Sequence, residues 1–371
     1  MSWPQFKTRR NAEASSSTLF HSTLVEDRQL SRFDPMPGML QADGDYNHLA
    51  LASGEIGRYQ LRTVLGEGGL GRVYGAWDPL LSRRVAVKTL QATATPAPGA
   101  TPGADSTANE QILNEARAAA RLTHPHIVTV YDAGNSDQGV YIAMEPLQGL
   151  DLRQMLRQGW RPGFVEAGSL VRRVAEALAY AHGKGVIHCD IKPANIFMVD
   201  RRQPKVLDFG IARMARRDES AQVSASAGSP HYLSPEQLQH GLVDRRCDVY
   251  SLGVVLFELL TGRPPYNGHT VAELNSAVLN APQPIARQIE PSVPPTLSAI
   301  AERAMARSPD DRYPSARHLA MALRDWKDSD EAHKYAVRSR SQLRFSQPWV
   351  GGLLLTLLAL SSSALVWSLM R

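Results

Sequence analysis

A run of glycines set between two strands, with no helix directly behind it, most narrows what this chain can fold into. Residues 66–71 read Gly66-Glu67-Gly68-Gly69-Leu70-Gly71, a G-x-G-x-x-G pattern that is weak evidence alone because several nucleotide sites share it. A dinucleotide fold requires a helix directly after the glycines, its N-terminus facing the pyrophosphate. Here "RVYGAWD" (72–78) and then "RRVAVKTL" (83–90) follow, both with strand composition. Glycines in such a hairpin let backbone N–H groups approach phosphates from above. A G-x-x-x-x-G-K-S/T loop is absent from the sequence, which removes the other common phosphate-binding turn.

The order of the remaining segments is equally restrictive. "YQLRTVL" (59–65) precedes the glycines, and "NEQILNEARAAARLT" (109–123) has the spacing of a helix. "IVTVYDAG" (127–134) and "GVYIAMEPL" (139–147) read as two more strands. From Asp151 onward the pattern is mainly helical, in "AGSLVRRVAEALAYAHGKG", "DVYSLGVVLFELLTG", "TVAELNSAVLN", "TLSAIAERAMA" and "SARHLAMALRDW". The expected fold class is α+β: a β-rich N-terminal lobe with one main helix, a helical C-terminal lobe, and a cleft between them.

Composition bounds the flanks. Hydrophobic content of 43% and charged content of 21% leave room for a sizeable core. Residues 1–55 are polar without sustained periodicity and read as a disordered leader before a folded domain at 56–326. Within that domain, "QATATPAPGATPGADSTAN" (91–109) reads as a flexible insertion. Residues 327–348 form a charged juxtamembrane linker carrying Lys327, Lys334, Arg338, Arg340 and Arg344. From Trp349 to Met370 there are 22 residues without a charge, roughly 33 Å as a helix, enough to cross a bilayer's hydrocarbon. Trp349 and Trp367 lie near its ends, where indoles favour the interface. A single-pass membrane helix over 349–370 is expected, with the domain cytoplasmic by the positive-inside rule. Only Arg371 follows it, so no external sensor is expected.

The formal charge of +5 is spread along the chain without a dense basic stripe, and no nucleic-acid partner is expected. No apolar stretch follows Lys7, Arg9 and Arg10, so the N-terminus does not read as a signal peptide. Cys189 and Cys247 are the only cysteines, too few for a disulfide framework or a zinc set, which suits a reducing cytosol.

The segments "GEGGLGRVYGAWD", "VAVKTL", "NEARAAARLTHPHIVTVYDAG", "HCDIKPANIF", "LDFGIAR", "GSPHYLSPEQ", "CDVYSLGVVLFELLTGRPPY" and "DDRYPSA" occur in this order. Through them the sequence resembles the bacterial eukaryotic-like (Hanks-type) Ser/Thr protein kinases over about residues 57–325. The resemblance implies a bilobal protein-kinase fold, ATP with magnesium (manganese as a substitute), and transfer of the γ-phosphate to protein serine and threonine hydroxyls. Self-phosphorylation, homodimer formation and a place in a bacterial inner membrane are implied alongside. A catalytically silent pseudokinase, serving as a membrane-tethered binding module, is the second reading. It would be marked by loss of Lys88, Asp190, Asn195 or Asp208, and all four are present.

Carried onto this chain, Asp190 becomes the catalytic aspartate that takes the substrate hydroxyl's proton, and Lys192 steadies the transferring phosphate. Asn195 and Asp208 become the metal ligands, brought to one edge by a hairpin over 195–209. Leu65, Gly66, Glu67, Gly68, Gly69, Leu70 and Gly71 form the phosphate lid, and Lys88 holds the α- and β-phosphates, fixed by Glu115. Adenine lies between Val73 and Ala86 above and Phe197 below, with Met144 as gatekeeper and Glu145 to Leu147 as hinge. Glu236 pairs with Arg312, and Asp248 braces the catalytic loop.

One departure stands out: Cys189 occupies the position where many kinases carry arginine. His188 and Cys189 are neighbours in what reads as an extended loop, so their side chains point apart, and neither a cysteine nucleophile nor a metal site is expected there. Without that arginine a phosphorylated activation loop loses its usual partner. Between Asp208 and Glu236 there is no threonine; the hydroxyl candidates are Ser220, Ser224, Ser226, Ser229, Tyr232 and Ser234. Basal activity is therefore expected without loop phosphorylation, although Arg213, Arg216 and Arg217 offer other phosphate partners.

Overall fold

Period-two burial builds the first lobe. The computed structural model describes residues 51–68, 71–90, 104–209 and 230–336. Its first sheet contains β1 (Glu55–Ile56), β2 (Tyr59–Gly68), β3 (Gly71–Asp78), β4 (Arg83–Leu90), β5 (Val130–Ser136) and β6 (Gly139–Met144). All neighbours are antiparallel, in the order β1-β2-β3-β4-β6-β5. Along β3, Tyr74, Ala76 and Asp78 are buried and alternate with more accessible residues. One apolar cluster gathers Ile56, Tyr59, Leu61, Tyr74, Val85 and Val87. A second packs Leu90, Val140 and Ile142 against Ile112, Leu113 and Ala116 of helix α1 (Ala104–Ala120).

The glycine hairpin is a β2–β3 turn in which Gly68 faces Gly71; Gly69 and Leu70, at its tip, lie outside the described residues. Gly71 has a φ of 140°, and a Cβ there would fall 1.8 Å from the Thr89 carbonyl oxygen. No side chain fits at that crossing.

The second lobe starts with a small sheet of β7 (Gly149–Asp151), β8 (Ile196–Val199) and β9 (Gln203–Val206). Between β7 and β8 run α2 (Leu152–Arg157), capped by the Asp151 side chain, and α3 (Phe164–Gly183). After α4 (Pro235–Leu238) comes α5 (Arg246–Thr261), buried on every side from Cys247 to Phe257. A helix apolar all round belongs in a core. At Gly253 an added Cβ would lie 2.7 Å from Ala304 Cβ on α8 (Pro295–Ala304), so glycine lets the two helices close up. Peripheral α6 (Val271–Asn280), α7 (Ala286–Ile289) and α9 (Ala316–Lys327) complete the bundle.

Several expected boundaries move. The ordered fold includes Leu51, which bridges Thr63, and Ala52, whose N–H donates to Arg62 O, so residues 51–55 are part of the domain and not of the leader. Helix α1 already runs through 104–109, because no Pro or Gly follows Gly103 before its apolar face begins. Ile127–Thr129 is not strand: Ile127 makes a single parallel bridge to Val206 instead of a ladder. Beyond Trp326 a helical stretch over 330–336 packs on the lobe, with Ala332 buried and Tyr335 edge-on to Phe164. The linker thus starts later than 327. Among the described residues no helix is long and apolar enough to cross a membrane. The expected span at 349–370 lies outside the described residues, as do residues 1–50 and most of the 91–109 insertion.

Candidate active site

The catalytic loop hangs from one buried carboxylate. Asp248, in the first turn of α5, accepts from the His188 N–H (2.9 Å) and His182 Nε2 (2.8 Å) on Oδ2, and from the Cys189 N–H (2.7 Å) on Oδ1. Two successive N–H groups can turn toward one carboxylate only if the chain leaves the extended conformation. Cys189 accordingly has a φ of 64°, correcting the extended loop expected there. Gln237 Nε2 holds its carbonyl from the other side at 2.8 Å.

His188 is wholly engaged with the backbone. Its Nε2 meets the Leu207 carbonyl at 2.7 Å, its Nδ1 accepts from the Asp190 N–H at 3.2 Å, and its ring packs on Phe209 with centroids 4.8 Å apart. A carbonyl only accepts, so these partners fix an Nε2–H tautomer. His188 has no role as a base for Cys189.

Two residues further on the chemistry gathers. Asp190 Oδ2 accepts from Lys192 Nζ at 2.7 Å and from Asn195 Nδ2 at 3.0 Å, and Asn195 Nδ2 also donates to Asp190 O at 2.8 Å. A short 3₁₀ turn, Pro193–Asn195, curls the chain so that three residues from one loop converge. The following hairpin, β8 to β9, carries the chain on to Asp208, as expected. Asp208 sits at a φ of 59° and accepts from Lys88 Nζ at 2.7 Å. Burial works to raise the Asp208 pKa, but the Lys88 ammonium, with His188 and Lys192 beyond it, holds the carboxyl below the usual carboxylate range.

Lys88 donates to Asp208 at 2.7 Å, a partner the motif reading did not name, while Glu115, expected to fix the Lys88 ammonium, is half-buried on α1 and engaged in an interaction of its own.

Pairing places most of the residues expected around adenine on one sheet face. Val73 opposes Lys88, and Ala86 opposes both Gly75 and Met144, so alternation puts Val73, Ala86, Lys88 and Met144 on a common side. Leu65, the extra residue in a β2 bulge, lies on that side over Gly75. Phe197 is half-buried on β8, opposite Asp151. Glu67 is exposed at the rim in an ion pair with Arg72. Glu145 does more than line a hinge. Its Oε1 accepts from the Thr129 N–H and from Lys205 Nζ, both at 2.7 Å. Among the described residues the Glu145 carbonyl and the Leu147 N–H take no backbone partner.

Of the hydroxyl candidates, two are occupied. Ser234 is fully buried, its Oγ 3.0 Å from Gln237 Oε1, and Tyr232 OH donates to Glu258 Oε2 at 2.7 Å. Neither is presented for modification; Ser220, Ser224, Ser226 and Ser229 lie outside the described residues. Sequence reasoning also missed His182, Gln237 and Lys205 as supports. Nothing in the local sequence sets these three apart from the other polar residues of α3, α4 and β9.

Acid should weaken this scaffold in a defined way. Burial pushes the Asp248 and Glu236 carboxyls up. The hydrogen bond from His182, with His188 nearby, holds Asp248 below its ordinary value, and the Arg312 bonds do the same for Glu236. Folded values below the unfolded ones, about 3.9 for Asp and 4.3 for Glu, mean this stabilisation is present above that range and is lost as pH falls through the folded values. The urea midpoint should be flat from neutral to about pH 5 and fall below about pH 4. Asp248→Asn keeps one acceptor but turns an NH₂ toward its donors; a loss of about 2–4 kcal/mol and a shallower acid limb are expected. An unchanged midpoint would contradict the brace.

A two-lobed cleft with a lysine on the upper sheet and an Asp-x-Lys-x-x-Asn loop below it defines a phosphoryl-transfer scaffold. The family model for the protein kinase domain matches residues 59–323, more than half of the chain. The chain belongs to the protein kinase family. It is 36% identical over 278 residues to the serine/threonine-protein kinase PrkC of Bacillus subtilis, covering 75% of this chain and 42% of that one. With the serine/threonine-protein kinase PknH of Mycobacterium tuberculosis it shares 35% over 288 residues, 77% of this chain and 45% of the relative. A probable serine/threonine-protein kinase of Streptomyces coelicolor is 41% identical over 275 residues, 72% of this chain and 39% of the relative. The chain spans less than half the length of each of these relatives.

Proposed function

We propose that this chain is an ATP- and magnesium-dependent protein kinase that phosphorylates serine and threonine hydroxyls, its own among them. The observation that carries this reading is the Asp190 carboxylate held by Lys192 and Asn195 in the same cleft as the Lys88–Asp208 pair. The printed names of the relatives support the choice of serine and threonine.

The residues fit a nucleotide with a hard divalent cation. Asn195 spends its Nδ2 on Asp190, which leaves the amide oxygen for a cation, and Asp208 already holds a cationic ammonium while ionised. Oxygen donors of this kind suit magnesium. At Gly66 an added Cβ would meet nothing within 4 Å, so the lid's backbone borders open space. When bound, magnesium-ATP supplies the γ-phosphoryl group and neutralises charge on its oxygens. Asn195 and Asp208 would hold the cation, and Lys88 would supply an ammonium to the phosphates. Asp190, oriented by two donors, accepts the proton of the substrate hydroxyl. Lys192, beside it, offsets negative charge as transfer proceeds.

The direct test is the full chain in detergent with magnesium-ATP and a generic protein substrate, followed by phosphoamino-acid analysis. Phosphoserine and phosphothreonine are expected. Absence of transfer by the folded protein would overturn the proposal.

We further propose that residues 349–370 anchor the domain at the cytoplasmic face of a membrane. The uncharged run and the basic residues before it support this. The full chain should sediment with membranes and resist high salt, and deletion of 349–371 should release it. A deleted form that still pellets while folded would remove the anchor from this segment.

A further inference from the structure

The only two cysteines of the chain, 58 residues apart in sequence, touch behind the catalytic aspartate. Cys247 Sγ lies 4.0 Å from Cys189 Sγ, van der Waals contact for two sulfurs, so no third group stands between them. Both are free and buried. Cys189 immediately precedes Asp190, and Cys247 immediately precedes Asp248, the residue from which the catalytic loop hangs. Nothing in the phosphoryl-transfer chemistry uses either sulfur.

We propose that Cys189 and Cys247 form a reversible disulfide that switches the kinase off. Joining them closes the sulfur separation from 4.0 Å to about 2.05 Å. That motion, of about 2 Å, acts on the residue next to Asp190, where a misplacement of about 1 Å is enough to cost about a hundredfold in rate. Cys189 is held from both sides, its N–H on Asp248 and its carbonyl on Gln237 Nε2, so closing the sulfurs pulls against the very bonds that set the loop at Asp190.

Accessibility and hydrogen bonding set the order of events. Cys189 is 6% exposed and Cys247 is fully enclosed, so a small oxidant meets Cys189 first. The Cys247 thiol lies within reach of both Cys189 Sγ (4.0 Å) and Asp248 Oδ1 (3.7 Å); the Cys189 contact, then burial and the Asp248 charge, push its pKa up, which disfavours it as the first thiol to be oxidised. Cys247 is therefore the resolving thiol. With a small hydroperoxide as oxidant, the Cys189 sulfur attacks one peroxide oxygen, the O–O bond breaks, and a sulfenic acid forms as the released hydroxide takes up a proton. The Cys247 sulfur then attacks the Cys189 sulfur, the S–O bond breaks, and water leaves with the Cys247 proton. In sum two thiols and one hydrogen peroxide give a disulfide and two waters, and a dithiol reverses the change.

The switch rests on the proposed kinase activity, whereas the bond does not, and the experiment reads them separately. The full chain in detergent is treated with hydrogen peroxide, quenched, digested without reductant and analysed by mass spectrometry, with kcat measured in parallel. A linked peptide pair carrying Cys189 and Cys247 is expected, with a fall in kcat of at least tenfold that dithiothreitol restores. Cys247→Ala, and Cys189→Ala as a second variant should the first misfold, should keep their activity through the same treatment. Two free thiols after oxidation, a linked protein with unchanged kcat, or a Cys→Ala variant that loses as much activity would each overturn the proposal. A reduced protein without activity would count against the kinase reading, while the linked peptide would still decide the bond.

Discussion

Replacing Asp208 with alanine is expected to lower kcat by at least about a thousandfold, ~4 kcal/mol of barrier, without unfolding the protein. Phosphoryl transfer asks a protein for little beyond position and charge compensation, so losing one of the two groups proposed to hold the cation removes much of what the site provides. The variant also releases Lys88, whose ammonium is bound to Asp208 Oδ2 at 2.7 Å and is only partly exposed. Lys88→Met should give a similar loss in kcat, and the double variant should lose little more than either single one, because the two groups act as a unit. Asp208 keeps 24% of its side-chain surface accessible, so thermal melting should move little. Full activity in a folded Asp208→Ala protein would sink the mechanism.

The largest effect on stability is expected at Arg312, which is 1% exposed. Its guanidinium uses every donor it has. Nε meets Ala306 O at 2.7 Å; NH1 meets Glu236 Oε1 at 2.8 Å and Arg246 O at 3.0 Å; NH2 meets Glu236 Oε2 at 2.8 Å and Arg307 O at 3.0 Å. Arg312→Met would leave the Glu236 carboxylate, 12% exposed, without its counter-charge and three carbonyls without their donors. A loss of about 3–5 kcal/mol is expected for the stranded charge alone, against a total of about 5–15 kcal/mol for an ordinary domain. Arg312→Lys retains the charge but has three donors in place of five, and should recover only part of the loss. Chemical denaturation of the three proteins checks this ranking, and equal midpoints would refute it.

How much of this was legible in the sequence depended on the range of the interaction. The strand order, the glycine hairpin and the Asp190–Asn195 loop follow from local periodicity and contiguous motifs. The Glu236–Arg312 pair and the Asp248 brace, which span 76 and about 60 residues, came through the family resemblance and were then found in place. What failed was orientation. Lys88 meets Asp208, 120 residues away, a partner that no contiguous motif names. Cys189 turned left-handed because a carboxylate 59 residues away gathers its N–H with its neighbour's. Neither choice leaves a local trace. Glu145 shows the same limit, since its partner Lys205 is 60 residues distant.

That Glu145 contact has a mechanical consequence. The chain passes from the upper lobe to the lower one once, near 145, and that crossing is riveted to the loop at 127–129 that leads into β5. Glu145 N–H donates to Thr129 O at 2.9 Å while its carboxylate takes the Thr129 N–H. The same rivet is fastened below, through Lys205 to Glu145 and through the Val128 N–H to Val206 O at 3.0 Å. A yawning motion of the cleft therefore bends the chain above Met144, not across it. The floor on which a purine ring would rest stays level with the lower lobe, while the roof carrying Ala86 and Lys88 tips away.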